Sequence, residues 1–324
     1  MKIVLFLLIS ALALVAPFLF SSYVISILIL TLYVAYVGQA WNLLLGFGGQ
    51  LSLGHALYTG LGSYIASNFF IKFGISPWIA LVFVALFCAI LGGIIGALGF
   101  RFGLSGVHFT LLTIAFAECT RLIFEHWAWF GATAGLFIPV TTDSLSFWHL
   151  RGDTNLFYYL FLGLIIISFL LCRLFVKSKL GYFARALREN EQAASSVGIN
   201  VFQTKVILMA LSAGMASIGG VFFAFYQNSL FPDQTFAMTK SIEIAMGSIV
   251  GGLGTLIGPI LGAFILIPLG EFLSYVLGTL LPESSCFSKA SSYCLWFCFY
   301  QKDYGLFCKN YGAKRLNDIK RSFC

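Results

Sequence analysis

Apolar residues run in long blocks along this chain, and polar ones are confined to short gaps between them. The blocks fall near 3–20, 23–45, 52–70, 78–99, 105–126, 157–176, 203–226 and 242–280. Most are close to the ~20 residues a helix needs to cross a bilayer. The last is long enough for two segments broken around GGLGTLIGP (251–259), where glycine and proline weaken the helix. The block at 52–70 is interrupted by Gly54, His55, Gly60 and Gly62. The pattern predicts an all-α, polytopic transmembrane protein of about 8–10 spans with discontinuous, Gly-rich helices.

One stretch departs from this pattern: RALRENEQAASSVGIN, residues 185–200. Between Gly181 and Val197, the residues Phe183, Ala186, Leu187, Asn190, Ala193, Ala194 and Val197 recur at spacings of three and four. That spacing predicts one short amphipathic helix. On its other face Arg185 is expected to pair with Glu189 and Arg188 with Glu191. Gly198, which tolerates positive φ, is expected to end the helix.

Composition agrees with the pattern. The chain is 60% hydrophobic and only 10% charged, far from the quarter charged that is typical of soluble domains. Its formal charge of +7 raises nucleic acid as a partner, but cytoplasmic loops of membrane proteins carry just such a basic excess, so no nucleic acid is expected. Placing the N-terminus inside puts Lys2, Arg101 and the cluster Arg173, Lys177, Lys179, Arg185 and Arg188 in the cytoplasm. Lys72 is then left outside, and 128–155, with Asp143, His149, Arg151 and Asp153, becomes an external loop. The opening MKIVLFLLISALALVAPFLF has the Lys-then-apolar character of a secretory signal. A second apolar block follows after two serines with no small-residue cleavage site, so a retained first helix is expected. Cys88, Cys119 and Cys172 lie in apolar blocks, where a lone cysteine is a small core residue.

Several polar residues within the apolar blocks are candidates for a translocation path. In 49–66, Gln50, Ser52 and His55 supply polar groups, while Gly54, Gly60 and Gly62 allow either a broken helix or close helix packing. Glu118 and Arg121 lie three apart on one helix face; they form either a structural pair or part of a path. Glu243 opens a later span, where it complements a helix dipole or faces a substrate ammonium. His108 and His126 read as packing or interfacial residues. No second ligand stands at metal-binding spacing from His55, and GGLGTLIGP lacks the lysine of a phosphate loop. No catalytic residue, metal or other cofactor is therefore expected, and GGLGTLIGP reads as a hinge or a tight helix contact.

QAASSVG (192–198) resembles the Ala-Ala-x-x-x-Gly core of the loop by which bacterial ABC importer permeases dock their ATPases. Together with GQLSLGHALYTGLGSYIA (49–66), GVHFTLLTIAFAECTRLIF (106–124) and GSIVGGLGTLIGPILGA (247–263), this block is similar to the LivH/LivM-type permease family of branched-chain amino acid ABC importers. The resemblance covers about residues 20 to 280 in the family's order. It implies a transport subunit rather than an enzyme, working with a sister permease, two cytoplasmic ATPase subunits and a periplasmic binding protein that delivers the amino acid. The absence of G-x-x-x-x-G-K-[ST] from this chain agrees with ATP hydrolysis in trans. The coupling loop would be 178–202, with Arg185, Leu187, Arg188, Glu191, Ala193, Ala194 and Gly198 as its coupling residues. Leu187, Ala193, Ala194 and Val197 would form the face toward the partner.

Urea and short-chain amide permeases share these blocks, and an ion-coupled secondary transporter is the alternative of a different class. The family's external Thr-Gly-Gly motif appears only as GATAG (131–135). Residues 1–283 read as the permease domain. Residues 284–324 hold five of the eight cysteines and several basic residues where the family would have another apolar helix. A frameshift in the gene or a divergent tail would each account for them.

Overall fold

The computed structural model describes Pro17, residues 20–139, Leu150 and residues 153–280. The expected first helix, Lys2, most of the polar part of the 128–155 loop and the tail from 284 onward lie outside the described residues. The chain divides into two compact units, Met1–Phe264 and Ile265–Cys324. The second is described only where the last helix continues into it.

The described residues are almost wholly helical. Helix α1 (Ser22–Asn42) runs into a π-helical turn, Leu43–Phe47; α2 (His55–Phe73), α3 (Pro77–Arg101) and α4 (Val107–His126) follow. After a short strand β1 (Leu136–Phe137) come α5 (Thr154–Lys177), α6 (Lys179–Glu189) and α7 (Glu191–Ser196). Helix α8 (Val201–Gln227), strand β2 (Ser229–Leu230), α9 (Pro232–Thr235), α10 (Met238–Gly251) and α11 (Gly258–Leu280) complete the order. The strands form one antiparallel pair, Leu136 opposite Leu230.

Six described helices are long and apolar enough to cross a membrane: Ser22–Phe47, Pro77–Arg101, Val107–His126, Thr154–Lys177, Val201–Gln227 and Gly258–Val276. The protein is a multi-pass membrane protein. The block at 52–70 becomes α2, whose 19 residues are not among these six. It is largely enclosed, with His55, Thr59, Ser63, Ser67 and Asn68 all buried. Ser63 and Ser67 return their hydroxyls to the carbonyls four residues back, at 2.9 and 2.7 Å. The block at 242–280 is two helices. Helix α10, at 14 residues, rises ~21 Å at 1.5 Å per residue and cannot cross ~30 Å of hydrocarbon alone.

Helix α2 meets α8 backbone to backbone. A Cβ at Gly62 would lie 2.3 Å from the Ser217 carbonyl oxygen, and one at Gly220 would lie 2.0 Å from that of Thr59. Only hydrogen fits at either position, and across this seam Ser63 donates to the Gly220 carbonyl at 2.8 Å. The opposite surfaces are apolar. Ile79, Val82, Leu86, Ile90 and Ile94 form an exposed row along α3, and Ile166, Leu170 and Leu174 extend one on α5. In water such rows would be a liability; lipid is their natural solvent.

The 185–200 stretch departs from expectation in its secondary structure. It is two helices rather than one, separated by Asn190 in an extended conformation (φ −157°, ψ 110°). The Asn190 side-chain oxygen accepts from the Ala193 amide at 3.0 Å. Asparagine is among the best N-caps, so starting a new helix here competes well with continuing the old one.

Candidate functional site

Helices α6 and α7 sit at the end of the molecule where α3 and α5 finish and α8 begins, so Arg101, Arg173, Lys177, Lys179, Arg185 and Arg188 gather there. Lys72, at the other end, donates to the Trp129 carbonyl at 2.6 Å and stands 3.7 Å over its ring. The Ser178 hydroxyl caps α6 by accepting from the Gly181 amide. Gly181, Ala184, Leu187 and Ala194 face inward and are buried.

Neither expected ion pair of this stretch forms. Arg185 donates to the Val176 carbonyl at 3.1 Å and to that of Gly181, and stacks on Tyr182. Arg188 reaches the Gly46 carbonyl. Val176 and Gly46, one acceptor of each cation, lie near helix C-termini, whose carbonyls attract positive charge and lack intrahelical partners. Glu191 instead takes the Lys205 ammonium at 2.7 Å. That ammonium is only 4% exposed, and leaving it buried without a counter-charge would cost several kcal/mol (~3–5). The three charged residues thus fasten the stretch to α5, to the end of α1 and to α8.

The outer face is mixed, with Tyr182, Phe183, Ala193 and Val197 standing among exposed polar residues such as Glu189, Gln192 and Ser195. Val197 is 83% exposed, Tyr182 61% and Phe183 38%, and Ala193 is also exposed. Of the four residues expected to face a partner, Ala193 and Val197 are exposed, whereas Leu187 and Ala194 pack against the rest of the chain. Period-three spacing finds an apolar helix face but not which apolar residues the chain itself covers. Gly198 has φ +90°, and beside it the Ile199 amide bonds back to the Ala194 carbonyl at 3.1 Å, ending α7 as expected.

The second group of candidates lies where helices break. After the π-helical turn, residues 48–54 cross the interior without helical structure. Their carbonyls are met by side chains: Trp41 Nε1 donates to Ser52 at 2.7 Å and Thr110 Oγ1 to Leu51 at 3.1 Å. A Cβ at Gly54 would come within 2.7 Å of the Thr113 carbonyl. His55, fully buried, opens α2, and the next amide, that of Ala56, donates to Ser241 Oγ at 2.9 Å. His55 Nε2 lies 2.8 Å from Ser212 Oγ, which is 2.6 Å from the Ala40 carbonyl. A carbonyl can only accept, so the serine proton points there and Nε2–H is the donor to the serine. Gln50 Oε1 and His55 Nδ1 are buried with no hydrogen-bond partner among the described residues.

A second break, 252–257, separates α10 from α11. Asn42 holds it with both ends of its amide, accepting from the Gly254 amide at 3.0 Å and donating to the Thr255 carbonyl at 2.8 Å. Gln50, Ser52, Gly54 and His55 are thus neighbours in one buried turn, but Glu118 and Glu243 are not part of it. Glu118 is paired with Arg121 (Nε to Oε1 2.9 Å), which also holds Glu125. Glu243 is paired with Lys240 at 3.2 Å. Asn42, Ser212 and Ser241, which organise both breaks, were not legible beforehand; a lone polar residue in an apolar run names no partner. At the opposite end from α6, Glu125, Asp233 and Gln234 help line a cavity of about 350 Å³.

The sequence matches the family described as branched-chain amino acid transport system / permease component over residues 23–295. It is 27% identical over 278 residues to the high-affinity branched-chain amino acid transport system permease protein LivM of Escherichia coli, covering 79% of this chain and 65% of that one. Against the probable branched-chain amino acid transport permease LivH of Methanocaldococcus jannaschii it is 27% identical over 216 residues, 64% of this chain and 67% of the relative. Against the autoinducer 2 import system permease LsrC of Salmonella typhi, identity is 33% over 107 residues, 32% of this chain and 30% of that one. The chain therefore spans about 65% of the length of the LivM protein it matches. No solved structure matches it.

Proposed function

The chain belongs to the family of permease components of branched-chain amino acid transport systems, and on that premise we propose that it is a pore-forming subunit of an ATP-driven importer. Its substrates in this reading are leucine, isoleucine and valine, and its membrane is the bacterial inner membrane. A periplasmic binding protein delivers the substrate, a sister permease completes the pore, and two cytoplasmic ATPase subunits drive it. The observation that carries the reading is the α6–α7 platform. It is a surface helix pair fastened inward by its charges that presents Tyr182, Phe183, Ala193 and Val197 outward at the basic end of the molecule. Basic residues favour the cytoplasmic side, where an ATPase would dock.

The non-helical turn bearing Gln50, Ser52, Gly54 and His55 is placed beside the path in this reading. Irregular backbone at membrane depth is tolerated only within protein or along a cavity. Its orphaned acceptors support a polar passage nearby. Glu118 and Glu243, each paired to a cation on its own helix, favour structural roles over ion coupling. A urea or amide permease would use the same platform and differ only in what is delivered.

The test is co-expression with the ATPase subunits and binding protein of the same transport system. Val197→Arg and Ala193→Trp change only exposed positions, so insertion should be normal while ATPase co-purification and leucine uptake both fall by about tenfold or more, as for loss of an interface hot spot. Full ATPase binding in both variants would remove the docking role. Leucine uptake by the wild-type chain without any ATPase would favour the ion-coupled class.

A further inference from the structure

Of the three charged side chains that fasten the coupling stretch, two end on continuous helices. Arg185 binds the end of α5, and Glu191 binds Lys205 in the first turns of α8. Arg188 alone ends at helix breaks. Its Nη1 donates to the Gly46 carbonyl within the π-helical turn, immediately before the non-helical segment that leads to α2. The same guanidinium lies against the other break, since a Cβ at Gly254 would stand 2.3 Å from Nη1 and 2.7 Å from the Gly46 carbonyl oxygen. The Arg188 stem lies close against Gly49 as well: a Cβ at Gly49 would approach its Cα to 3.3 Å and its Cγ to 3.4 Å. Gly49 (φ +68°) and Gly254 (φ +73°) also hold backbone conformations that other residues adopt only under strain. Three glycines therefore form a slot shaped to one arginine, and Asn42 ties the two sides of the slot together.

We infer that Arg188 is the positioning residue through which displacement of α6 is passed to both helix breaks at once. The inference rests on the reading of α6–α7 as the coupling surface. A planar guanidinium wedged between two backbones transmits displacement as a rigid fork, which a flexible lysine ammonium does not. The recipients suit the task. π-helical turns and short irregular joints absorb φ/ψ changes that regular helices resist. The first break leads to the buried turn of Gln50, Ser52 and His55, and the second sets the end of α10, which supplies Ser241 to that same turn. One side chain thus connects the docking surface to the candidate path from two directions.

The experiment uses the complete co-expressed transporter in proteoliposomes, with ATP hydrolysis and leucine uptake measured together for Arg188→Ala and Arg188→Lys. The Arg188 guanidinium is held at Gly46 and Gly254 while part of the residue stays exposed, so ATPase co-purification is measured for both variants to separate a docking defect from a transmission defect. The expected result is an assembled complex that hydrolyses ATP within about twofold of wild type while uptake falls about tenfold, within the range reported for coupling residues. The lysine variant should lie between. A purely structural arginine would lower hydrolysis and uptake in proportion, or prevent assembly of both variants, and either outcome overturns the inference. So does wild-type uptake in the alanine variant. If only the alanine variant fails to assemble, the lysine variant decides by the same ratio. Failure of the docking reading is seen separately, as full ATPase binding by Val197→Arg with Arg188 intact.

Discussion

His55 shows how a single residue acquires a role that its neighbours in sequence do not announce. It lies fully buried at the junction of three helices, donating to Ser212 of α8, which in turn satisfies Ala40 of α1. Ser212→Ala would leave a buried N–H without an acceptor and a carbonyl without a donor. The expected loss is about 1–3 kcal/mol of stability per orphaned group, seen as a lowered melting temperature of the detergent-solubilised protein. An unchanged melting temperature would mean that the bridge contributes little. The clustering of Gln50, Ser52, Gly54 and His55 was legible, because four polar or flexible residues in six break an apolar run. Their partners were not. Ser212 is 157 residues from His55, and Arg188 is 142 residues from Gly46. Helical spacing proposes only neighbours three or four apart, so it assigned Arg185 and Arg188 to nearby glutamates.

Helices themselves were easier to read, since a bilayer-length apolar run leaves little choice of structure. What the runs did not disclose is where a helix stops within a polar stretch. The break at Asn190 separates α6 from α7 by one side-chain hydrogen bond. Asn190→Ala removes that cap and should cost α7 about 1 kcal/mol, exposing amides 193–196 to faster hydrogen exchange while α6 keeps its protection. Equal protection in variant and wild type would show that packing of Ala194, rather than the cap, holds α7 in place. The Gly-rich joint at 252–257 was anticipated as a hinge or a tight contact, and it has features of both. The chain leaves helical structure there, and Asn42 of α1 clasps it.

Across the described residues, high hydropathy does not mark the buried helices. The most apolar helices, α3 and α5, expose most of their surface, whereas α2, which falls outside the six candidate spans, is largely enclosed, as is α1. Its enclosure depends on α8 through the Gly62–Ser217 and Gly220–Thr59 contacts. During synthesis the ribosome completes α2 well before any part of α8 exists, so its seryl and histidyl groups must wait beside the translocation machinery or lean on α3. The expected outcome of a glycosylation-mapping assay is that the α2 segment alone integrates poorly, that α2 with α3 integrates partially, and that chains extended past Gln227 integrate fully. Efficient integration of α2 alone would refute this. On that expectation the backbone seam between α2 and α8 is also a timetable, with full entry of α2 into the membrane waiting on the synthesis of α8.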